Sequence, residues 1–405
     1  MPPSSERRRP DTESVGAGHD ALRHLGSLKP PVYETSTFVF ANAAEGKRFF
    51  EQAYGPGASA PGYIYSRLDS PNLAPAEARL AVWEEAEDAA VFASGMGAIT
   101  SVLLTFLRPG QLVLYSMPTY GGTATLMRGL LSDFGVITRS FRPSASIDEI
   151  ERLIGDDQLV MIYVETPANP TNELVDIGSM AELASRYYAR VVVDNTFLSP
   201  VWQKPLVHGA DLSVHSATKY LGGHSDLTAG AVCGSGDDIA NLRRTRYEVG
   251  TTPSPGTAWL LGRSLETLRL RVEQQTENAT EVAIRLAEHP KVARVNHLSL
   301  LEPGEPAYDI YKRQCLGPGA MVSFEIVGGE EECFRFLDAM QVVRLATSLG
   351  GTESLASHPW TMSPPSASEA DKLEIGVTPG LVRLSVGIED VRDLLADLDQ
   401  ALDQV

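Results

Sequence analysis

The 405-residue chain reads as an α/β protein: a large, doubly wound, mainly parallel sheet domain followed by a smaller C-terminal α/β domain. Three observations carry that expectation. Residues 159–164 (LVMIYV), and 190–193 (RVVV) after its leading arginine, are apolar runs, the pattern of strands buried on both faces. Segments of helical spacing stand between such runs, as in a parallel sheet covered by helices. Beyond about residue 260 the rhythm changes to a long helical stretch with well-separated strand candidates.

Taken in order, residues 1–30 are polar and rich in Pro, Arg, Glu and Gly, and read as a loose arm. Residues 31–69 alternate short apolar patches with turn formers. Within them 54–62 (YGPGASAPG) is a loop by composition, and its Gly and Pro content suits a mobile lid. A helix is expected over 76–87, short strands over 111–115 and 135–138, and a helix over 179–188. Residues 257–288 read as one long helix, and 321–327 and 382–386 as strands. Residues 90–107 carry no charge, but Ser94, Thr100, Ser101 and Thr105 make a buried helix a better reading than a membrane span.

The net charge of −18 repels nucleic-acid phosphates, so no nucleic-acid partner is expected, and an anionic substrate needs local positive charge. Cys233, Cys315 and Cys333 form no C-x-x-C pair, which fits a reducing cytoplasm. The histidines lack ligand spacing such as H-E-x-x-H, so no metal site is expected. Arg7, Arg8 and Arg9 precede no apolar stretch and are not read as a secretory signal.

Three passages carry chemistry. In residues 211–230 (DLSVHSATKYLGGHSDLTAG), Lys219 follows a short alternating strand and has small hydroxyl neighbours that let a bulky group approach its amine. Asp194 directly follows the buried run VVV, at the carboxyl end of a strand, where α/β sites form. Residues 92–98 (FASGMGA) open an apolar helix with small residues, leaving N–H groups free for a phosphate, with Ser216 and Thr218 as hydroxyl donors. Alone, the lysine reads equally as a surface strand end and the aspartate as a cap. Together, a lysine amine and an acid able to keep a pyridine nitrogen protonated are what pyridoxal phosphate chemistry requires.

These passages fall among ordered motifs: Tyr65-Ser66-Arg67, Ser94-Gly95-Met96, Tyr120-Gly121-Gly122-Thr123, Glu165-Thr166-Pro167-Ala168-Asn169-Pro170, Val193-Asp194-Asn195-Thr196, Ser216-Ala217-Thr218-Lys219-Tyr220, Ser348-Leu349-Gly350-Gly351 and Arg383-Leu384-Ser385-Val386-Gly387. On these residues the chain, from about Lys29 to its end, resembles the Cys/Met-metabolism enzymes dependent on pyridoxal phosphate. That family includes cystathionine γ-synthase, cystathionine γ-lyase, methionine γ-lyase and O-acylhomoserine sulfhydrylase. The resemblance implies a fold type I, aminotransferase-like architecture. Residues 1–69 would be an arm and intersubunit loop, 70–262 the cofactor-binding domain and 263–405 the small domain.

The resemblance also implies roles. Lys219 would hold pyridoxal 5′-phosphate and move protons, Asp194 would pair with the ring nitrogen, and Tyr120 would stack on the ring and serve as acid or base. Gly95, Met96, Ser216 and Thr218 would hold the phosphate. Tyr65 and Arg67 would reach the phosphate of a neighbouring subunit's cofactor, implying a homo-oligomer, a tetramer built as a dimer of dimers. Arg383 would bind the substrate α-carboxylate with two prongs, while Asn169 and Ser348 position cofactor and substrate. Thr347 would lie on the substrate side; Thr196 and Glu165 suit either a site or a structural role.

The activity implied is γ-elimination on L-methionine or a related γ-substituted amino acid, giving a 2-oxo acid and ammonia. The alternatives are γ-replacement with an O-acylhomoserine and a thiol, or a non-catalytic scaffold, against which the intact Lys219, Asp194, Tyr120 and Arg383 speak. The chain departs from its relatives at several places. Gly122 stands where methionine γ-lyases commonly carry Cys, Thr347 where cystathionine enzymes carry Glu, and Glu248-Val249 where methionine γ-lyases tend to have Lys-Asp. Residues 66–72 (SRLDSPN) depart from the usual Tyr-Gly-Asn-Pro-Thr phrase.

Overall fold

The computed structural model describes residues 8–54, 62–362 and 368–405, so the lid expected at 54–62 lies almost wholly outside the described residues. Seven strands form the large sheet: β1 (Asp88–Phe92), β2 (Gln111–Ser116), β3 (Ile137–Phe141), β4 (Gln158–Glu165), β5 (Arg190–Asp194), β6 (Leu212–His215) and β7 (Gly230–Gly234). Their spatial order is β1-β7-β6-β5-β4-β2-β3, parallel except for β7.

The unbroken apolar runs have the expected cause. Met161, Tyr163 and Val192 face one side of the sheet, where Ala98, Ile99, Val102 and Leu103 of the helix Gly95–Phe106 pack. Ile162, Val164, Val191 and Val193 face the other side, against Ile150, Ile154, Ile177, Met180 and Leu183 of two further helices. With both faces dry, each core side chain is worth roughly 1.5–3 kcal/mol of burial, so neither face tolerates a polar residue without a partner.

A second sheet contains β8 (Val292–Asn296), β9 (Met321–Ile326), β10 (Arg344–Leu345), β11 (Leu355–Ser357) and β12 (Leu381–Ser385), in the order β10-β11-β12-β9-β8. Its core, with Phe324, Phe336 and Leu398, is continuous with side chains of the large sheet's β1 and β7. The structure thus has the expected α/β form, a large mainly parallel sheet with a smaller second one.

Four details correct the sequence reading. Residues 10–16 are helical rather than loose: Pro10 opens the helix, Asp11 and Glu13 suit its first turn, and Arg269 holds Asp11 at 2.5 Å. Residues 90–107 are not one helix. β1 ends at Phe92, and Ser94 caps the next helix by accepting the Gly97 N–H at 2.9 Å. The stretch 257–288 is two helices, Pro255–Leu265 and Leu268–Ala287. At the break, the buried Arg271 guanidinium donates to the Ser264 carbonyl at the end of the first helix and to that of Tyr220, each at 2.9 Å. Strand β7 has only the three apolar residues Ala231, Val232 and Cys233 between two glycines, and at its start glycine is required: a Cβ on Gly230 would lie 2.1 Å from the Ser94 carbonyl oxygen. Among the described residues no helix is long and apolar enough to cross a membrane, and no group of His, Cys, Asp and Glu could hold a metal.

Candidate active site

The carboxyl ends of β1, β2, β4, β5 and β6 converge, as open parallel sheets require. Asp194 closes β5 and is 5% exposed. Its Oδ1 accepts the Thr196 N–H at 3.1 Å and hydroxyl at 2.5 Å, and its Oδ2 accepts the Tyr163 hydroxyl at 3.1 Å. The Thr196 hydroxyl oxygen also accepts the Ser216 N–H at 2.9 Å, tying the end of β5 to the segment after β6. Ser216 in turn abuts Gly95: a Cβ on Gly95 would sit 2.8 Å from the Ser216 Cβ and 2.9 Å from its Oγ. This cradle brings Gly95, the first turn of the helix Gly95–Phe106 and Ser216 together. Thr218 stands beside it, its hydroxyl donating to the Ala229 carbonyl at 3.1 Å.

Lys219 lies in the turn after β6 and donates to the Ser348 Oγ at 2.9 Å. Burial first, and the Arg383 guanidinium second, lower its pKa from 10.5 to about 8. Arg383, on β12, is 9% exposed and held down to about 10 by burial, so it stays cationic at neutral pH. It donates to Asn169 Oδ1 at 3.1 Å and to the carbonyls of Thr347 at 2.8 Å and Ser348 at 3.3 Å. Its buried Nε has no partner among the described residues. Thr347 therefore meets the site through its backbone while remaining exposed.

Glu165, at the end of β4, pairs in register with Asp194. Its Oε2 accepts the Thr119 hydroxyl at 2.7 Å and the Tyr120 N–H at 2.6 Å, and its Oε1 accepts the Asn169 N–H at 3.3 Å. Burial, then the adjacent Asp194, raise the Glu165 pKa against the pull of those three donors; burial likewise raises Asp194. The Tyr120 ring is half exposed and packs where residue 122 has no side chain. A Cβ on Gly122 would lie 2.6 Å from the Tyr120 Cε1 and 3.1 Å from the Met96 sulfur.

Contacts thus bring together Lys219, Asp194, Tyr120, Gly95, Met96, Ser216, Thr196, Asn169, Ser348 and Arg383. Tyr65 and Arg67 stand apart: Arg67 stacks on the rings of Tyr65 and Tyr247 and donates to the Tyr247 carbonyl at 3.1 Å. The sequence reading passed over Tyr163, which looked like one more core residue of a buried run. Its period-two spacing from Glu165 was the available signal, placing both on the Asp194 side of the sheet. It also passed over the network on the opposite face, where buried Glu84 accepts from Ser213 at 2.9 Å and Asn195 at 3.1 Å and meets His215 at 2.5 Å.

The residues present fit pyridoxal 5′-phosphate. Two buried carboxyls side by side, both pushed toward the neutral form, make a place where a cationic ring nitrogen restores ionisation. The cradle at Gly95 offers free N–H groups for a phosphate, and Lys219 offers a buried amine of lowered pKa. This defines an enzyme of the pyridoxal-phosphate-dependent, aminotransferase-like class.

The comparisons are specific. The family model for the Cys/Met metabolism PLP-dependent enzymes matches residues 11–403, and the chain belongs to that family. It is 42% identical over 395 residues to the L-methionine gamma-lyase of Pseudomonas putida, covering 96% of both chains. It is 35% identical to the O-succinylhomoserine sulfhydrylase of Pseudomonas aeruginosa, covering 97% of each. Among solved structures, cystathionine gamma synthase from Xanthomonas oryzae pv. oryzae, in complex with aminoacrylate and cysteine, superposes with a TM-score of 0.90 at 34% identity, covering 98% of this chain and 99% of that one. Pyridoxal 5′-phosphate is the cofactor of this enzyme.

Proposed function

We propose that the chain catalyses γ-elimination on L-methionine or a close analogue, releasing a 2-oxo acid, ammonia and the γ-substituent. The carrying observation is the full-length identity to an L-methionine gamma-lyase combined with a site holding Lys219 and a carboxylate-binding arginine. When bound, the cofactor supplies the electron-withdrawing ring that makes the Cα and then the Cβ protons of an amino acid removable. Arg383 and Asn169 hold the substrate carboxylate, the unpartnered Nε of Arg383 giving one prong. Lys219, its pKa lowered to about 8, takes the Cα proton. Tyr120, on the exposed side of the cavity, donates a proton to the leaving γ-substituent. Asp194, steadied by Thr196 and Tyr163, would pair with the ring nitrogen of the bound cofactor and supply it with negative charge. Gly95, Met96, Ser216 and Thr218 receive the phosphate, and Ser348 orients the Lys219 amine.

Tyr65 and Arg67, which make no part of this cluster, are proposed to complete a neighbouring subunit's site in a dimer of dimers. The exposed Leu22, Leu25, Leu28 and Val39 of the N-terminal region support burial against another copy. The two sheets support the division at about residue 262, and three free cysteines support a cytoplasmic setting. A second reading, γ-replacement with a thiol, is favoured by Gly122, which adds no side chain beside Tyr120. The test is 2-oxo acid release from L-methionine, O-acetyl-L-homoserine, L-homocysteine and L-cystathionine, with and without thiol. Release from methionine without thiol supports the lyase; turnover of the ester only with thiol, forming a thioether, overturns it in favour of the synthase.

A further inference from the structure

We propose that Glu165 is the positioning residue of this site: one buried carboxyl fixes the Tyr120 backbone with one oxygen and the Asn169 backbone with the other. The proposal rests on the roles assigned above to Tyr120, Asn169 and Arg383. Glu165 is 4% exposed, and its hydrogen bonds go to Thr119, Tyr120 and Asn169. Its Oε2 takes the Tyr120 N–H at 2.6 Å together with the Thr119 hydroxyl at 2.7 Å, fixing the residue that walls the cavity. Its Oε1 takes the Asn169 N–H at 3.3 Å, and the Asn169 side chain holds Arg383 at 3.1 Å. The ring wall, on the loop after β2, and the carboxylate arm, on β12, thereby share one anchor at the end of β4. The register partner of that anchor is Asp194, so all three working groups are referred to one point of the sheet. A helix or strand cap needs one acceptor; a carboxyl splitting its two oxygens between two functional segments fixes their mutual distance.

The two oxygens can be separated by substitution. In Glu165→Gln the amide oxygen keeps Thr119 and Tyr120, while its NH₂ faces the Asn169 N–H and loses that bond. In Glu165→Ala both ties are lost. The holoenzyme variants are measured for KM and kcat, for cofactor dissociation constant and for thermal midpoint. Glu165→Gln is expected to raise KM about 10-fold with cofactor affinity unchanged, the cost of one buried bond. Glu165→Ala is expected to raise KM similarly, weaken cofactor binding and lower kcat by about 10- to 100-fold. The proposal is overturned if either variant loses thermal stability while its kinetic and cofactor constants stay within about twofold of wild type. Should Glu165→Ala fail to fold, the KM and cofactor readings of Glu165→Gln decide alone. Wild-type protein that takes up no cofactor overturns the underlying assignment as well, an outcome distinct from a silent variant.

Discussion

Capture of the cofactor by Lys219 should follow pH with a bend near 8. Burial, and less so the Arg383 charge, bring the Lys219 pKa from 10.5 to about 8. At about pH 7.5 roughly a quarter of such amines are neutral, against about one in a thousand for an ordinary lysine, a gain of roughly two hundredfold in nucleophile. The rate at which cofactor-free protein takes up pyridoxal 5′-phosphate should therefore climb about tenfold per pH unit and level off above about 8. A small-molecule amine run in parallel reports the cofactor's own ionisations, which are subtracted. Arg383→Met removes the smaller of the two causes. The bend should then move upward, and capture at about pH 7.5 should slow, although Arg383 makes no contact with the phosphate cradle. Stopped-flow absorbance in the visible range measures both, and reductive trapping with peptide mass analysis assigns the lysine. A rate that climbs without a bend through the ordinary lysine range, or a bend that Arg383→Met leaves in place, refutes the reasoning.

Three further outcomes are expected. Asp194→Asn keeps the shape but loses the charge proposed to pair with the cofactor's ring nitrogen, so kcat should fall about 100- to 1,000-fold while Lys219 still retains the cofactor, read by absorbance and steady-state kinetics. Gly95→Ala puts a Cβ 2.8 Å from the Ser216 Cβ and 3.0 Å from its Cα, so Ser216 must move; the cofactor dissociation constant should rise about 10-fold with secondary structure intact by circular dichroism. Because the folded protein holds the Glu165 pKa above 4.5, the folded state binds the extra proton, and its stabilising effect is present below that value and lost as pH rises through the raised one. Urea midpoints of cofactor-free protein should decline over that window, and Glu165→Gln should flatten the decline.

The parts of the fold that the sequence announced are those where one physical cause acts alone. Residues 159–164 and 190–193 are apolar on both faces because helices cover both faces, and they are strands as expected. Where two causes compete, the pattern misleads. Residues 90–107 run without a charge from the end of β1 through the helix Gly95–Phe106, and only Ser94, which caps the helix, marks the junction. The break between the helices Pro255–Leu265 and Leu268–Ala287 is stabilised by Arg271, whose guanidinium reaches Tyr220, 51 positions away, a contact no local pattern contains. β7 has only three apolar residues between Gly230 and Gly234; Gly230 is needed because the backbone there passes close to the Ser94 carbonyl, and glycine carries no strand signal.

The site divides in the same way. Lys219, Asp194 and the small residues at Gly95 were legible because their chemistry is unusual for strand ends. What joins them was not. Asn169 meets Arg383 across 214 positions, and Tyr163 supports Asp194 from within a run that looks like core. The groups proposed to hold the cofactor come from the ends of the large sheet, whereas Arg383 and Ser348 come from the second sheet and the loop beside it. On the roles proposed above, cofactor and substrate recognition are built on separate frames that meet where Lys219 donates to Ser348. A change at Thr347, which touches the site only through its carbonyl, falls on the Arg383 side alone, whereas a side chain at Gly122 pushes Tyr120 and also meets the Met96 sulfur 3.1 Å away, so it bears on both sides.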